Sequence, residues 1–235
     1  MTDQHHTPRV RAVSIPQATV SRLATYLRVL GSLAEQGAHI VSSEELAAAA
    51  GVNSAKLRKD LSFLGPNGVR GVGYDVARLH ARIETTLSLD QGHRVVLVGV
   101  GNLGRSLAGY RGFRRRGFAM VGLFDIAPEV VGTEAAGLVV RDVAELAAAC
   151  TELQPTIAVV AVPDDAAQPT VDLLVGAGVR CILSFAQVPL EAPADVEIRR
   201  VDLAVELQML SFSAANGSGD PDVESSESTR SVVRQ

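Results

Sequence analysis

Residues 95–104 read Val-Val-Leu-Val-Gly-Val-Gly-Asn-Leu-Gly, and this stretch decides the fold of the second half of the chain. Four apolar residues, three of them β-branched, predict a strand buried in a parallel sheet. The glycines that follow have the spacing Gly-x-Gly-x-x-Gly. This spacing provides a tight turn, room for a pyrophosphate against the backbone, and close packing of the next helix on the strand. We therefore predict a dinucleotide-binding site here.

The next apolar run supplies the acidic residue that such a site needs. It covers residues 119–124 and ends in Asp125, about 20 residues after the third glycine. A carboxylate there accepts hydrogen bonds from the ribose of NAD(H) and repels the extra phosphate of NADP(H). The arginines of segment 111–116 leave NADP open as an alternative, although a solvated basic edge explains them as well. The predicted cofactor-binding residues of this motif are Gly99, Val100, Gly101, Asn102, Leu103, Gly104 and Asp125.

The pattern after the glycine motif alternates between strands and helices, which predicts an α/β, Rossmann-type domain with a mostly parallel sheet and right-handed crossovers. Strands are predicted at 94–99, 119–125, 156–162, 180–185 and 197–202, and helices at 102–110, 142–150 and 164–177. Asp164 and Asp165 follow Pro163 at the carboxyl end of a strand, where ligands bind in such sheets. They are either ligand contacts or caps of the next helix.

The C-terminal segment 203–213 is predicted to be a helix with apolar residues on nearly all sides, which favours insertion between two subunits. From residue 214 the chain is rich in Ser, Gly, Asp and Glu and is predicted to be disordered, as 214–235. The polar residues 1–14 are predicted to be flexible. Two domains, 15–85 and 86–202, lie between these segments.

The first domain has the pattern of a winged helix-turn-helix. A helix with apolar residues at helical spacing follows Pro16. Ser42 and Glu45 form a capping box that opens a short second helix, and Asn53 caps a third helix. Residues 65–68 end the third helix, and residues 69–74 are predicted to form a short hairpin, the wing.

The third helix is basic, and so is the first domain: residues 1–85 carry ten Lys and Arg against seven Asp and Glu, whereas the remainder is acidic. The leucines of the third helix share its inward face. This leaves cations outward, where they can contact the phosphates and base edges of double-stranded DNA. The alternative is a three-helix dimerisation module with a solvated basic face. The predicted DNA-binding residues are Lys56, Arg58, Lys59 and Ser62 of the helix, and Arg70, Gly71, Gly73 and Tyr74 of the wing.

Hydride-transfer enzymes usually need a proton donor or acceptor near the nicotinamide, commonly His, Lys or Tyr. All five histidines lie at or before His93, and no lysine follows Lys59. Tyr110 is the only tyrosine of the second domain, and no lysine stands four residues later to form a Tyr-x-x-x-Lys pair. We therefore predict a cofactor sensor with no catalytic residues. The alternative is a small NAD-dependent oxidoreductase with an N-terminal helical interaction module.

Composition adds further expectations. The chain is 47% hydrophobic and 20% charged, as globular proteins are. Its apolar runs are too short for a membrane span, and its polar start is unlike a secretory signal. Cys150 and Cys181 lie too far apart for a metal or redox motif, which suggests reduced thiols. We expect a cytoplasmic protein with no bound metal.

With these motifs placed, the chain resembles the Rex family of redox-sensing transcriptional repressors over about residues 15–213. The resemblance implies a homodimer with a domain-swapped C-terminal helix. It also implies binding to an inverted-repeat operator and release when NADH replaces NAD+, which derepresses respiratory or fermentative genes. The segments that carry the resemblance are Ile15-Pro16, Arg22-Leu23, Tyr26-Leu27-Arg28, Leu57-Arg58-Lys59-Asp60-Leu61-Ser62, Gly71-Val72-Gly73-Tyr74, the glycine motif, Phe124-Asp125, Val162-Pro163, Ala167-Gln168, Leu183-Ser184-Phe185-Ala186 and Val201-Asp202-Leu203.

The resemblance further implies site residues. Tyr110 lies close to the nicotinamide, and with Phe185 it lines a pocket that favours the neutral reduced ring, because burying the cationic ring costs free energy. Val162 and Pro163 join the predicted cofactor site. Arg28 and Asp202 pair across the dimer in one state, so Arg28, Tyr110 and Asp202 are the predicted switch residues. The alternative is that Arg28 and Asp202 are separate solvated charges.

Overall fold

The computed structural model describes residues 15–69 and 71–216, and the chain divides into two compact units. The first unit extends to His93 and includes 111–119, and the second comprises 94–110 and the residues from Met120 onward. The sequence predicted a boundary at 85–86. The predicted flexible segment 1–14, residues 217–235 of the predicted tail and Arg70 of the predicted wing lie outside the described residues.

The first unit is a helix-turn-helix domain whose core holds the inward faces of four helices. The apolar spacing of the helix after Pro16 and the inward leucines of the third helix predicted this core. Its largest fully buried side chains are Leu23, Tyr26, Leu30, Leu46, Leu57, Leu79 and Ile83. The elements are α1 (Gln17–Glu35), β1 (Ile40–Val41), α2 (Ser43–Ala49), α3 (Ser54–Ser62), β2 (Tyr74–Asp75) and α4 (Val76–Thr86).

Side-chain caps fix the starts of α2 and α3 as predicted. The Ser42 hydroxyl accepts a hydrogen bond from the Glu45 backbone N–H at 3.1 Å, and the Glu45 carboxylate accepts one from the Ser42 N–H at 2.9 Å. The Asn53 side chain accepts one from the Lys56 N–H at 2.8 Å. These caps satisfy N–H groups that have no partner within the helix. They therefore determine where the basic helix begins.

The wing is narrower than the hairpin predicted over 69–74. Val69 and Gly73 form one antiparallel bridge, after which Tyr74 pairs with Val41 of β1. Strand β1 was not predicted because two residues are too few to show a period. Gly73 has φ +111°, and a Cβ there would lie 2.5 Å from the Val41 carbonyl oxygen. Only glycine therefore allows the wing to pass so close to β1.

The second unit is built on a seven-stranded sheet. Its strands are β3 (His93–Val98), β4 (Phe118–Asp125), β5 (Glu134–Ala135), β6 (Leu138–Asp142), β7 (Ile157–Val160), β8 (Cys181–Ser184) and β9 (Glu197–Arg200). Their order in the sheet is β5-β6-β4-β3-β7-β8-β9. Pairs β4–β6, β3–β7, β7–β8 and β8–β9 are parallel, and β5–β6 is antiparallel. This confirms the α/β, Rossmann-type prediction.

The helices of this half lie close to their predicted places, with two differences. Asp142 ends β6 and caps a 3₁₀ turn at Val143–Glu145, so the helix predicted at 142–150 begins later, at Leu146. The last helix continues beyond 213 to Asn216, because alanines 214 and 215 are strong helix formers. The helices of the second unit are α5 (Asn102–Ala108), α7 (Leu146–Leu153), α8 (Asp164–Gly176) and α9 (Leu203–Asn216). Helix α6 (Arg111–Arg115) belongs to the first unit and was not predicted.

Helix α9 exposes its apolar side chains. Leu207 is 67% and Phe212 is 72% exposed, and they lie on different sides of the helix. No helix in the described part of the chain is both long enough and apolar enough to cross a membrane.

Candidate cofactor site and nucleic-acid interface

The three glycines after β3 have different structural roles. Gly99 has φ +94°, and a Cβ there would overlap the Ala161 carbonyl. A Cβ at Gly104 would overlap the Gly99 carbonyl, so both glycines are required by the fold itself. Gly101 has φ −70°, and a Cβ there would meet no atom within 4 Å. The fold does not require glycine at 101, and the open space beside it fits a ligand that approaches the backbone.

Asp125 lies beside this turn at the end of β4, half-buried. Its Oδ2 accepts a hydrogen bond from the Val100 N–H at 2.6 Å. Its Oδ1 accepts bonds from the N–H groups of Ile126 at 2.8 Å and Ala127 at 2.9 Å. A carboxylate offers about four acceptor positions. The carboxylate is thus held against the glycine turn, and Oδ2 keeps an acceptor position for a ribose hydroxyl.

A cleft of about 680 Å³ opens over the turn and Asp125. Asn102 and Leu103 line it from α5, and the predicted residues Val162 and Pro163 line it from the end of β7. Val100 and Gly104 are buried under the turn. An apolar wall of this kind suits an adenine ring, because ligand pockets are mostly apolar with a few placed polar groups. The wall consists of Ile126, Ala127, Val130, Val143, Pro169 and Leu173.

The residues predicted near the nicotinamide do not line this cleft. Tyr110 follows α5 and is 51% exposed, and Phe185 follows β8, where its N–H donates to the Val160 carbonyl at 2.9 Å. Of the predicted cofactor residues, the cleft therefore brings together those of the glycine turn with Asp125, Val162 and Pro163, but not Tyr110 or Phe185. The arginines of segment 111–116 do not line it either. In the described residues no group of three or more His, Cys, Asp or Glu could hold a metal ion.

Asp164 has a structural partner. Its Oδ1 accepts a hydrogen bond from the Gln187 N–H at 2.7 Å, which joins the start of α8 to the loop after β8. Asp164 begins α8, whereas Pro163 occupies the cap position. The structure therefore supports neither of the two alternatives for Asp164. Its side chain does not cap α8, and its carboxylate already has a hydrogen-bond partner within the protein.

The outward face of α3 carries the predicted cations. Lys56, Arg58, Lys59 and Ser62 are all exposed, whereas Leu57 and Leu61 are buried. A groove of about 780 Å³ lies between α3, the start of α2 and the wing, and Arg58, Ser62, Gly71 and Gly73 line it. Tyr74 also borders the groove, but its side chain is only 8% exposed and belongs to the core. Its packing supports the wing from beneath.

Asp60 follows the outward Lys59 on α3 but points inward with Leu57 and Leu61, and it is 1% exposed. Its carboxylate accepts hydrogen bonds from Arg22 Nε at 2.6 Å and Nη2 at 2.7 Å, from the Tyr26 hydroxyl at 2.8 Å and from the Thr19 hydroxyl at 3.0 Å. This network joins α3 to α1. Sequence reasoning missed it, although a charged residue three positions after Leu57 on the apolar face was a signal for it.

The network sets the ionisation of its members. Burial disfavours the Asp60 carboxylate, but the hydrogen bonds from Arg22, Tyr26 and Thr19 outweigh burial and hold the pKa of Asp60 below its usual range. Burial and the hydrogen bond to Asp60 together raise the pKa of Tyr26 to about 12. The ionised carboxylate and the neutral phenol therefore persist across the neutral pH range.

The two charged switch residues lie in different units. Arg28 is exposed on α1 of the first unit. Asp202 caps α9 in the second unit, where its Oδ1 accepts hydrogen bonds from the N–H groups of Ala204 at 2.9 Å and Val205 at 3.2 Å. Their pairing across a dimer stays a prediction.

Comparisons with known proteins match both units. A family model described as a putative DNA-binding protein N-terminus matches residues 14–62, and a CoA binding domain model matches residues 90–188. A redox-sensing transcriptional repressor Rex from Streptomyces coelicolor is 49% identical over 93% of this chain and 85% of its own length. A repressor of the same name from Syntrophomonas wolfei is 42% identical over 88% of this chain and 98% of its own length.

Solved structures agree. RSP, a Rex-family repressor, in complex with β-NAD+ and operator DNA has a TM-score of 0.82 and 32% identity, over 87% of this chain and 94% of that one. RSP in complex with β-NADH has a TM-score of 0.79 and 31% identity, over 87% of this chain and 96% of that one.

Proposed function

This chain belongs to the Rex family of redox-sensing transcriptional repressors, and we propose on that basis that it is a DNA-binding repressor that senses the NADH/NAD+ ratio. The first unit binds operator DNA, and NADH bound to the second unit releases it. The observation that carries the proposal is the open backbone at Gly101 beside the held carboxylate of Asp125, on the same chain as an exposed basic helix. The complexes of RSP with operator DNA, NAD+ and NADH support the same assignment.

The basic helix α3 enters the major groove, where Arg58 and Lys59 contribute most to recognition. Lys56 and Ser62 contact phosphates, and the wing, with Arg70 and Gly71, reaches the backbone or the minor groove. Each bidentate base contact gives roughly 1–3 kcal/mol of discrimination. In a DNA-binding titration, Arg58→Ala and Lys59→Ala should each weaken operator binding, and parent-like affinity of both would refute this interface.

The cofactor is NAD(H), held through its adenosine half. The pyrophosphate lies against Gly101, the ribose hydroxyls meet Asp125, and the adenine packs against the apolar wall of the cleft. NADH and NAD+ differ in the charge of the nicotinamide ring. Tyr110 and Phe185 form an apolar environment that favours the neutral ring, because burying the cation is costly.

The protein acts as a sensor and not as an enzyme, in keeping with the relatives, which are named transcriptional repressors. No lysine or histidine of the sequence follows β3 to serve as a proton donor. The test is to mix the protein with NADH and a panel of carbonyl compounds. Absorbance at the NADH band should stay constant, and steady oxidation of NADH would favour the enzyme.

The functional unit is a homodimer in which α9 of each protomer packs against its partner. Apolar side chains exposed on different sides of α9, such as Leu207 and Met209, need a covering surface. A two-fold dimer presents two α3 helices, which accounts for an inverted-repeat operator.

The switch requires two global states that DNA and NADH stabilise unequally. Arg28 and Asp202 pair across the dimer in one state, and Tyr110 responds to the nicotinamide. Arg28→Ala, Tyr110→Phe and Asp202→Ala should therefore reduce NADH-induced operator release while both ligands still bind. Unchanged release in all three variants would eliminate this route of coupling.

A further inference from the structure

The carboxylate of Glu44 lies in the first turn of α2 but takes no part in the capping box of that helix. The capping box of α2 uses Ser42 and Glu45, whose side chains satisfy each other's backbone N–H groups. Glu44 Oε1 instead accepts a hydrogen bond from Arg58 Nη1 of α3 at 3.2 Å. The two side chains are 69% and 52% exposed. Pairs this exposed contribute little to folding, so the ion pair needs another explanation.

The location of Glu44 supplies one. Glu44 and Arg58 both line the groove between α3 and the wing, together with Ser62 and Gly71. This is the groove in which the proposed function places DNA. A carboxylate there repels phosphates and lowers the affinity for any duplex. The first unit thus carries an acidic group where binding strength alone would favour none.

We propose that Glu44 is a positioning residue that determines DNA sequence specificity through Arg58. The inference rests on the proposed function. Without Glu44, the long Arg58 side chain can contact any nearby phosphate, which adds affinity without specificity. Bound to Glu44 through Nη1, the guanidinium is restrained, and its remaining N–H donors stay available for a base edge such as guanine O6 and N7.

The carboxylate also acts against wrong binding modes. A duplex placed so that a phosphate approaches Glu44 is penalised by like-charge repulsion, whereas a duplex in the correct register presents a base to Arg58 instead. Specificity commonly combines an attractive contact with such a repulsive one. The expected signature of Glu44 is therefore opposite in sign to that of the cations around it.

Glu44→Gln preserves the size of the side chain and removes its charge. It should raise the affinity for an unrelated duplex about two- to fivefold. It should lower the ratio between specific and unrelated affinities about tenfold. Because Arg58 gains a phosphate contact, the salt dependence of unrelated binding should steepen by about 0.9 in the log–log slope for each subunit. Glu35→Gln, at an exposed position on α1 outside the groove, is the matched control and should change none of these.

The experiment uses the full chain, a duplex selected by the unaltered protein from a random pool, and a scrambled duplex of equal length. Fluorescence anisotropy at several salt concentrations gives the affinities for the parent, Glu44→Gln, Arg58→Ala, the double variant and Glu35→Gln. If Glu44 acts through Arg58, Glu44→Gln lowers discrimination in the parent and leaves it unchanged in the Arg58→Ala background.

Three results would overturn the inference and leave the proposed function intact. The first is unchanged discrimination in Glu44→Gln, and the second is an equal loss of discrimination in the Arg58→Ala background, which would mean that Glu44 contacts a base directly. The third is weaker binding of Glu44→Gln to both duplexes together with a lowered melting temperature of that variant. If the unaltered protein selects no duplex, the proposed function fails and the inference fails with it.

Discussion

Replacing Gly101 by alanine separates a ligand-binding role of the glycine motif from a folding role. The backbone at 101 has φ −70° and ψ −163°, which any residue adopts, and an added Cβ meets no atom within 4 Å. Alanine at such a position restricts the unfolded chain and should leave stability unchanged or raise it by up to about 1 kcal/mol. The fold therefore tolerates the change.

The dinucleotide should not tolerate it. The Cβ occupies the space in which a pyrophosphate approaches the backbone, so at least one hydrogen bond to a charged phosphate lengthens or breaks. Such a bond contributes about 1.5–3 kcal/mol, which corresponds to roughly a 10- to 150-fold weaker Kd for NADH. NAD+ should weaken by a similar factor because its pyrophosphate is the same.

Gly104→Ala is the matched control from the same motif. Its Cβ would overlap the Gly99 carbonyl, and overpacking of this kind costs about 1–3 kcal/mol or more. Thermal unfolding and NADH fluorescence titration measure the two effects. Gly101→Ala should melt like the parent and bind NADH poorly, whereas Gly104→Ala should melt at a lower temperature. NADH affinity equal to that of the parent in a folded Gly101→Ala variant would refute the placement of the pyrophosphate.

Three further predictions follow from other parts of the structure. Asp125→Ala removes the charge that opposes a 2′-phosphate and should narrow the preference for NADH over NADPH, and equal binding of both by the parent would contradict this role. Because the pKa of folded Asp60 is lowered, its stabilising contribution is present above about pH 4 and is lost as the pH falls through the folded value. Asp60→Asn should reduce the unfolding free energy at neutral pH by about 1–3 kcal/mol and flatten this acid limb in denaturant titrations. The stabilising contribution of Tyr26 has the opposite pH dependence. It is present below about pH 10 and is lost as the pH rises toward 12. Leu207→Glu on the exposed apolar helix should convert a dimer to monomers in sedimentation or light scattering, and an unchanged mass would argue against that interface.

Local signals in the sequence predicted the principal elements because the fold depends on them directly. The capping box at Ser42, the Asn53 cap and the glycine spacing after β3 each act within a few residues. The place of Asp125 at the end of the strand after the glycine motif followed from the expected length of a βαβ unit, whereas its hydrogen bond from the Val100 N–H was not predicted. The sequence also separated the inward leucines of α3 from its outward cations.

The missed features depend on contacts between distant segments. Strands β1, β5 and β6 were not predicted. Strands β1 and β5 have two residues each and are strands only because a partner lies beside them, and β6 is fixed by its pairing with the distant strand β4. Asp60 lies in a basic run that suggests a surface role, and only the packing of α1 on α3 shows that Arg22 and Tyr26 surround it. The Glu44–Arg58 ion pair links α2 to α3. The sequence does not specify the geometry of the turn that brings these two helices together. Periodicity describes one element at a time and cannot place such pairs.

The most direct test of the central proposal is a titration of the protein–operator complex with NADH and with NAD+ at one fixed salt concentration. Salt is fixed because phosphate contacts make DNA affinity strongly dependent on it. The proposed function predicts that NADH releases the duplex at concentrations where NAD+ leaves the complex intact, and that Gly101→Ala resists release by NADH. Equal release by both forms, or by neither while NADH binds, would contradict a redox-sensing repressor.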